Sequence, residues 1–264
     1  MLRPACVTVL AGTLIHMPSL EPSRAPQILI LWDVDHTLIE TRGVGFAIYK
    51  RAFPAATGRP LDTLAQVSGR TELDIMRETL RINGIEPTGE STAKLATALI
   101  SGYENAREEL ATTGRALPGA AATLDRLATE LRVHQGVLTG NLRDVARIKL
   151  EVFGPDTRLD LEASAYGDDH SEPPKLVAIA QARAYDRTGT IFDNQHTILI
   201  GDTPKDIEAG LAAAVRAIAV ASGKSTAKEL RAAGATIIVD DLTDPEHITH
   251  LVTQVDGISC WGRG

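Results

Sequence analysis

Short apolar runs that alternate with helical patterns after residue 130 constrain the fold of this chain more than any other feature. Each run ends in a turn or a polar residue, as buried strands do, and the segments between them carry apolar residues at helical spacing. Such alternation is typical of a parallel sheet covered by helices on both faces, so we expect an α/β, Rossmann-like core. The six predicted strands span residues 27–33, 131–139, 161–167, 196–202, 215–221 and 235–240, and predicted helices include residues 142–152, 176–187 and 225–233.

A stretch of helical periodicity separates the first predicted strand from the second. From residue 44 to about residue 112 apolar residues recur at helical spacing, without a convincing strand pattern. We expect residues 44–112 to form a smaller helical domain inserted into a core made of residues 27–43 and 113–256. Pro118 and Gly119 mark the return to that core.

Residues 1–26 precede the first predicted strand. Their apolar run has a superficial likeness to a signal peptide. Thr8, Gly12, Thr13 and His16 interrupt it, and it is too short to span a bilayer. We therefore expect a poorly ordered N-terminal extension ahead of the core.

The composition narrows the set of partners. The 264 residues carry a formal net charge of -7, with an isoelectric point near 5.5. An acidic chain exerts no long-range attraction on nucleic acid or on an anionic membrane, so we expect neither as a partner. The two cysteines, Cys6 and Cys260, form neither a disulfide framework nor a zinc motif. A reducing, cytoplasmic location is the expectation that follows.

Two acidic pairs follow predicted strands. Asp33 ends the first strand with Asp35 two residues on, and Asp202 ends another strand with Asp206 four residues later. In open α/β sheets, ligands bind beyond the carboxyl ends of the strands. Carboxylates so close repel each other unless one holds a proton or a cation such as Mg²⁺ lies between them. Alternatively, the first pair is an acidic turn, and the second is a helix start capped by Asp202 or Thr203.

The predicted strand at residues 131–139 ends at Thr139, and Gly140 and Asn141 follow it. A hydroxyl group and backbone N–H groups at a strand-to-helix turn can hold a phosphate, although the same residues also suit an ordinary turn. A carboxylate can attack phosphorus as a nucleophile, while a second carboxylate protonates the leaving oxygen and later deprotonates water. These strand ends therefore indicate chemistry on a phosphate ester.

The order of the motifs DVDHT, LTGN, a lysine and GDTPKD resembles the four signature motifs of the haloacid dehalogenase-like superfamily, across residues 27–243. The helical insertion is similar to that superfamily's C1 cap. The resemblance implies a magnesium enzyme in which Asp33 is the nucleophile and a metal ligand, and Asp35 is the general acid and base, with its backbone carbonyl on the metal. It implies that Thr139 binds the phosphoryl group beside Gly140 and Asn141, and that Lys175 offsets negative charge. It also implies that Asp202 is a metal ligand and that Asp206 supports it.

Two departures from the family pattern stand out. The residue after the second aspartate is usually Gly in these enzymes and is His36 here. Its imidazole either faces the substrate or points away. Lys175 enters its helix without the Pro that often follows the family's lysine, so a nearby basic residue is an alternative.

Asp35 favours phosphoryl transfer over dehalogenation, because the dehalogenases of this superfamily lack a carboxylate there. Residues 67–73 resemble the cap loop of phosphoglycolate phosphatase-like members, in which Arg70 would contact an anionic end of the substrate. Alternatively, Arg70 is solvated at a helix start. We expect a hydrolase that acts on a small-molecule phosphate ester, as a monomer or homodimer.

Rival functions use similar groups. A phosphomutase of the same superfamily would share all four motifs. A two-component receiver domain has its acidic pair and lysine in a different order and lacks a helical insertion after the first strand. The receiver domain is the non-hydrolytic phospho-acceptor among these alternatives. A non-catalytic binding or scaffold protein would be expected to lose a nucleophile or metal ligand, and the motifs retain them.

Overall fold

The computed structural model describes residues 28–67 and 69–254, so the predicted N-terminal extension, residues 1–26, lies outside the described residues. The strands of this part of the chain are β1 (Ile28–Trp32), β2 (Ile39–Glu40), β3 (Arg115–Ala116), β4 (Val133–Val137), β5 (Thr197–Gly201), β6 (Arg216–Val220) and β7 (Ile237–Val239). Five of them form a parallel sheet in the order β4-β1-β5-β6-β7. The predicted α/β class is confirmed.

Helices flank this sheet and fill the interval between β2 and β3. Among the described residues, no helix combines the length and apolar character needed to cross a bilayer. The helices are α1 (Val44–Thr57), α2 (Glu72–Ile82), α3 (Gly89–Asn105), α4 (Arg107–Thr113), α5 (Ala120–Ala128), α6 (Arg143–Phe153), α7 (Pro173–Thr188), α8 (Pro204–Ala212), α9 (Ala227–Ala232) and α10 (Pro245–Thr253).

Strand β1 is buried on both faces because its side chains alternate between two apolar layers. Ile30 and Trp32 pack towards α5, α6 and α10, whereas Leu29 and Leu31 pack towards α7 and α8. Full burial of such a side chain contributes about 1.5 to 3 kcal/mol. This double burial explains why the strand reads as a continuous apolar run and lies inside the sheet.

Helices α1 to α4 occupy the interval in which the helical insertion was predicted. They enclose an apolar cluster that includes Ile48, Phe53, Met76 and Leu95, and α6 of the core packs against this cluster through Ile148. The short antiparallel ladder of β2 with β3 brings the two connections between core and insertion side by side. We refer to α1 to α4 with their loops, residues 41–114, as the cap.

The predicted strand at residues 161–167 is wrong. Leu161–Ala163 forms a single turn of 3-10 helix, because the Asp160 carboxylate accepts hydrogen bonds from the backbone nitrogens of Glu162 (3.1 Å) and Ala163 (3.2 Å). Ala165 touches the sheet through one isolated bridge to Leu138. Because these two backbone N–H groups are bonded to a nearby side chain, they cannot form the hydrogen bonds that would pair this segment with a neighbouring strand.

Candidate active site

The motif residues converge because they follow neighbouring strands. Trp32 of β1 lies level with Val137 of β4 and Ile200 of β5. Asp33 continues the β1–β5 register, since its backbone nitrogen donates to the oxygen of Ile200 (2.8 Å). The carboxyl ends of three adjacent strands thus bring Asp33, Thr139 and Asp202 to one edge of the sheet.

Three carboxylates meet at that edge. Asp33, Asp202 and Asp206 each offer an oxygen within 4.8 Å of the others. Asp206 is held by a capping box at the start of α8, in which its Oδ2 accepts from the nitrogen (2.9 Å) and the hydroxyl (2.6 Å) of Thr203. The capping interpretation and the acidic-site interpretation therefore both apply to this segment.

Asp202 is the most enclosed member of this acidic cluster. It is 2% exposed, and its Oδ1 has no hydrogen-bond partner among the described residues. A Cβ atom at Gly223 would lie 1.7 Å from its Oδ2, so only glycine allows the loop after β6 to pass so close to this carboxylate. A buried carboxylate oxygen without a partner is costly unless a cation or a proton satisfies it.

The electrostatics of the cluster favour a cation. Burial, followed by repulsion from Asp206 and Asp35, raises the pKa of Asp202 to about 8. Burial and the charges of Asp206, Asp202 and Asp35 likewise raise the pKa of Asp33 well above its ordinary range. Burial also raises the pKa of Asp206. Without a cation, the cluster therefore retains protons that isolated carboxyl groups would release.

Asp35 lies in a different electrostatic environment. Its carboxylate accepts from Nζ of Lys149 (2.7 and 3.0 Å) and from Nδ2 of Asn141 (2.7 Å). Burial alone would raise the pKa of Asp35, but the charge and hydrogen bonds of Lys149, with the bond from Asn141, lower it overall. The Asn141 amide also donates to the hydroxyl of Thr139 (2.8 Å), which is 1% exposed. This network links the first two motifs.

Lys149 is the lysine that the structure places beside Asp35, and the sequence analysis did not single it out. It lies on α6, is 4% exposed, and also donates to Oδ1 of Asn141 (2.7 Å). Lys175 instead forms an exposed ion pair with Glu172 (3.1 Å), and the structure does not bring it to Asp35. The available signal was a lysine on the apolar face of α6, four residues after Val145 and next to Ile148.

His36 adopts a left-handed backbone conformation, with φ of 65°. This conformation explains why glycine is usual at the position, since other residues lose about 1 to 2 kcal/mol there. The turn is fixed because the backbone nitrogen of His36 donates to Ile39 (2.7 Å) and its oxygen accepts from Ser222 (2.7 Å). His36 also lines the cavity above the carboxylates.

The cap covers the carboxylates and leaves a cavity of about 350 Å³. The backbone nitrogen of Glu72, at the start of α2, donates to the oxygen of Gly140 (2.6 Å) and so joins the cap to the LTGN loop. Arg70 also lines the cavity, but its Nε is ion-paired with Asp74 (2.7 Å). All five predicted substrate-binding residues line the cavity, namely His36, Arg70, Thr139, Gly140 and Asn141.

Comparison with known proteins matches this architecture. A search of curated proteins finds no match. Among solved structures, a hydrolase from Pseudomonas syringae is 24% identical, with a TM-score of 0.64 over 86% of this chain and 99% of that chain. CbbY from Rhodobacter sphaeroides, in complex with phosphate, is 19% identical, with a TM-score of 0.64 over 83% and 96%. A predicted phosphoglycolate phosphatase from Haemophilus somnus is 19% identical, with a TM-score of 0.60 over 86% and 99%.

These structural likenesses show a shared fold. The family model for haloacid dehalogenase-like hydrolases matches residues 30–220, which include the first, second and fourth motifs together with the whole cap. This match confirms the resemblance seen in the motifs. The chain belongs to the haloacid dehalogenase-like hydrolase family.

Proposed function

We propose that this chain is a Mg²⁺-dependent phosphatase that hydrolyses a small-molecule phosphate monoester. The observation that carries the proposal is the meeting of Asp33, Asp202 and Asp206 within 4.8 Å, beside the ion pair of Asp35 with Lys149. Both features lie at the floor of the cavity beneath the cap. Membership of the hydrolase family supports the same reading.

The residues of the acidic cluster fit a magnesium ion. Mg²⁺ binds hard oxygen ligands, and Asp33, Asp202 and Asp206 supply three carboxylates. The buried Oδ1 of Asp202, which has no partner among the described residues, is an oxygen that such an ion would satisfy. A bound Mg²⁺ would neutralise these carboxylates and polarise the phosphoryl oxygens of a substrate.

Asp33 is the proposed nucleophile. A carboxylate oxygen of Asp33 forms a bond to phosphorus while the bond from phosphorus to the ester oxygen breaks, which leaves an aspartyl-phosphate and an alcohol. Thr37 donates to Oδ2 of Asp33 (3.2 Å) and orients the carboxylate. Thr139, Gly140 and Asn141 are the proposed phosphoryl ligands at the end of β4, through the Thr139 hydroxyl and the backbone N–H groups of the loop. The side-chain amide of Asn141 donates to Asp35 and to the Thr139 hydroxyl, and so holds that hydroxyl in place.

Asp35 is the proposed general acid and base. As an acid it gives a proton to the leaving oxygen, and as a base it takes a proton from the water that attacks the aspartyl-phosphate. Without substrate, Lys149 favours the ionised form of Asp35. The negative charge of a phosphoryl group close to Asp35 would favour retention of a proton, so substrate binding prepares the acid form.

Other assignments extend this proposal. Arg70 and His36 line the cavity and are proposed to contact the substrate, Arg70 through donors that Asp74 leaves available. Lys149 is proposed for the charge-offsetting role that the sequence assigned to Lys175. The cytoplasmic location and the monomeric or homodimeric state stay predictions.

Phosphate release from an aryl phosphate, measured with Mg²⁺ and after chelation, tests the proposed function. We expect release that depends on Mg²⁺ and is abolished by Asp33→Asn, which is nearly isosteric. Asp156→Asn is a matched control, because Asp156 lies in the 3-10 turn that follows α6 and does not line the cavity. Equal activity of Asp33→Asn and the unsubstituted protein would refute the proposal.

A further inference from the structure

The turn after Asp35 is strained because a histidine occupies its left-handed position. His36 has φ of 65°, a conformation that glycine adopts freely and that few other residues adopt. Strained residues of this kind persist only where their surroundings fix them. The turn therefore needs contacts that a glycine at this position would not require.

Two functional side chains depend on the shape of this turn, which spans residues 34–39. Asp35 lies directly before His36, and Thr37 lies directly after it. The Thr37 side chain is fully buried, and its hydroxyl donates to Oδ2 of Asp33 (3.2 Å). A change in the φ angle of His36 would therefore move Asp35 and reorient Asp33, which is a member of the acidic cluster.

A side chain from a separate part of the chain holds the strained residue directly. The hydroxyl of Ser222 donates to the backbone oxygen of His36 (2.7 Å). The other bonds of the turn are local, since the nitrogen of His36 donates to Ile39 (2.7 Å) and that of Leu38 donates to Val34 (3.0 Å). The bond from Ser222 thus ties the left-handed residue to the far side of the sheet from β4.

Ser222 belongs to a loop that is fixed at both ends. We refer to residues 221–225, between β6 and α9, as the β6 loop. At its start the backbone nitrogen of Ala221 donates to the oxygen of Val239 in β7 (2.8 Å), and at its end Thr226 forms the capping box of α9. A hydroxyl presented by a loop anchored in this way can hold another segment in a strained conformation.

The β6 loop also touches the acidic cluster. Gly223 lies so close to Asp202 that a Cβ atom there would be 1.7 Å from Oδ2 of that carboxylate. The loop therefore contacts both acidic motifs, Asp202 through Gly223 and the turn after Asp35 through Ser222. These two contacts fix the position of one motif relative to the other.

We propose that Ser222 is a positioning residue that compensates for the histidine at position 36 and so keeps Asp33 and Asp35 in place for Mg²⁺ binding and catalysis. The inference rests on the proposed Mg²⁺-dependent function and adds to it a residue outside the four signature motifs. It also gives a physical account of the departure from glycine, since the bond from Ser222 lets the turn carry an imidazole that lines the cavity.

A double-mutant cycle of Ser222→Ala with His36→Gly tests this compensation. The first readout is the Kd of Mg²⁺, measured by titration calorimetry on the metal-free protein. We expect Ser222→Ala to raise this Kd about fivefold, the scale of one hydrogen bond. In the His36→Gly background the turn is no longer strained, so the same substitution should raise the Kd less than about twofold.

Two matched controls separate positioning from general stability. Thr123→Val removes a bond of the same kind outside the cavity, since the Thr123 hydroxyl donates to the oxygen of Leu242 (2.8 Å). Ala214→Gly relieves another left-handed residue outside the cavity, with φ of 54°. Thr123→Val should leave the Kd of Mg²⁺ unchanged, and Ala214→Gly should not restore the Kd of Ser222→Ala.

The Tm of the metal-free variants gives a second reading of the cycle that needs neither metal nor substrate. Ser222→Ala should lower Tm, and should lower it less in the His36→Gly background. If Ser222→Ala alone does not fold, a cooperative transition in the double variant would support the inference, and its absence would overturn it.

The outcomes distinguish this inference from the proposed function. A Kd of Mg²⁺ that Ser222→Ala leaves unchanged, or raises equally in both backgrounds, would overturn the inference and leave the phosphatase function intact. If the unsubstituted protein bound no Mg²⁺ and released no phosphate from an aryl phosphate, the proposed function and the inference would fall together. A raised Kd that His36→Gly restores and Ala214→Gly does not would support the role of Ser222.

Discussion

Lys149 shows how one side chain ties the active site to the body of the fold. It lies on the apolar face of α6, yet its ammonium group reaches Asp35 and Asn141. A buried ion pair of this kind contributes little net stability, but removal of one partner leaves the other charge unsatisfied. The pair therefore sets the protonation of Asp35 more than it stabilises the fold.

Substitution of Lys149 tests this role at the residue scale. We expect Lys149→Met to lower kcat for an aryl phosphate by about 10² to 10³, the cost of losing one preorganised charged donor. The pKa of Asp35 should rise because the largest opposition to the effect of burial is removed, and the pH dependence of kcat should move to higher pH.

Lys175→Met is the control for this substitution, since Lys175 pairs with Glu172 at the surface. Its kcat should stay within about twofold of the unsubstituted value, as for most surface changes. A large loss in Lys175→Met, with Lys149→Met nearly unaffected, would return the role to the lysine that the motif order indicates.

The sequence indicated which aspartates the structure brings together but did not single out the lysine beside them, for a physical reason. Asp33 and Asp202 directly follow apolar strands, and parallel strands place their carboxyl ends at one edge. Lys149 reaches the same edge from within a helix, by the length of its side chain. Lys149 precedes the position at which the order of the motifs places the lysine, and that position in the sequence does not show that its side chain extends to Asp35.

At the scale of elements, the contact between cap and core depends on small residues. A Cβ atom at Gly140 would lie 2.5 Å from the backbone oxygen of Arg70, and a Cβ atom at Gly167 would lie 1.8 Å from the oxygen of Gly140. The LTGN loop is therefore packed between the cap loop and the core. Any side chain at Gly140 must push the cap loop away from the carboxylates.

A methyl group at Gly140 tests this packing. We expect Gly140→Ala to lower kcat/KM about tenfold or more, because small displacements of groups that position a substrate are costly. Gly89→Ala is the control, since a Cβ atom there meets nothing within 4 Å. Steady-state kinetics on both variants decides the point, and equal values would contradict a role for close cap packing.

Short elements escaped the sequence analysis, whereas long periodic ones did not. The ladder of β2 with β3 has two residues in each strand, which is too short for any hydrophobic pattern. The predicted strand at residues 161–167 is apolar enough to suggest a strand, but the Asp160 side chain caps a turn there instead. Strand length decided the first case and local side-chain bonding the second, and hydrophobic periodicity reports neither.

At the scale of the whole molecule, the acidic cluster couples folding to pH. Burial and neighbouring carboxylates raise the pKa of Asp202 from its ordinary value to about 8. At pH values between the ordinary pKa of an aspartate and this raised pKa, Asp202 holds a proton in the folded, metal-free protein that it has released in the unfolded chain. The free energy of unfolding of the metal-free protein must therefore fall as the pH rises through this window.

This coupling predicts the effect of Mg²⁺ on thermal stability. We expect Mg²⁺ to raise Tm more at about pH 8 than at about pH 5, because the ion replaces protons that the cluster otherwise holds. Asp202→Asn should raise the Tm of the metal-free protein at about pH 8 and abolish most of the response to Mg²⁺. Calorimetry with and without the ion at both pH values would contradict the account if the response were equal.

The most direct test of the central claim is to trap the phosphoryl group on Asp33. Asp35→Asn should still be phosphorylated by an aryl phosphate, whose leaving group needs no proton, but should hydrolyse the intermediate slowly. Acid quenching and peptide mapping by mass spectrometry should therefore find the phosphoryl group on the peptide that contains Asp33. A phosphoryl group on another residue, or rapid turnover with no covalent intermediate, would contradict the account.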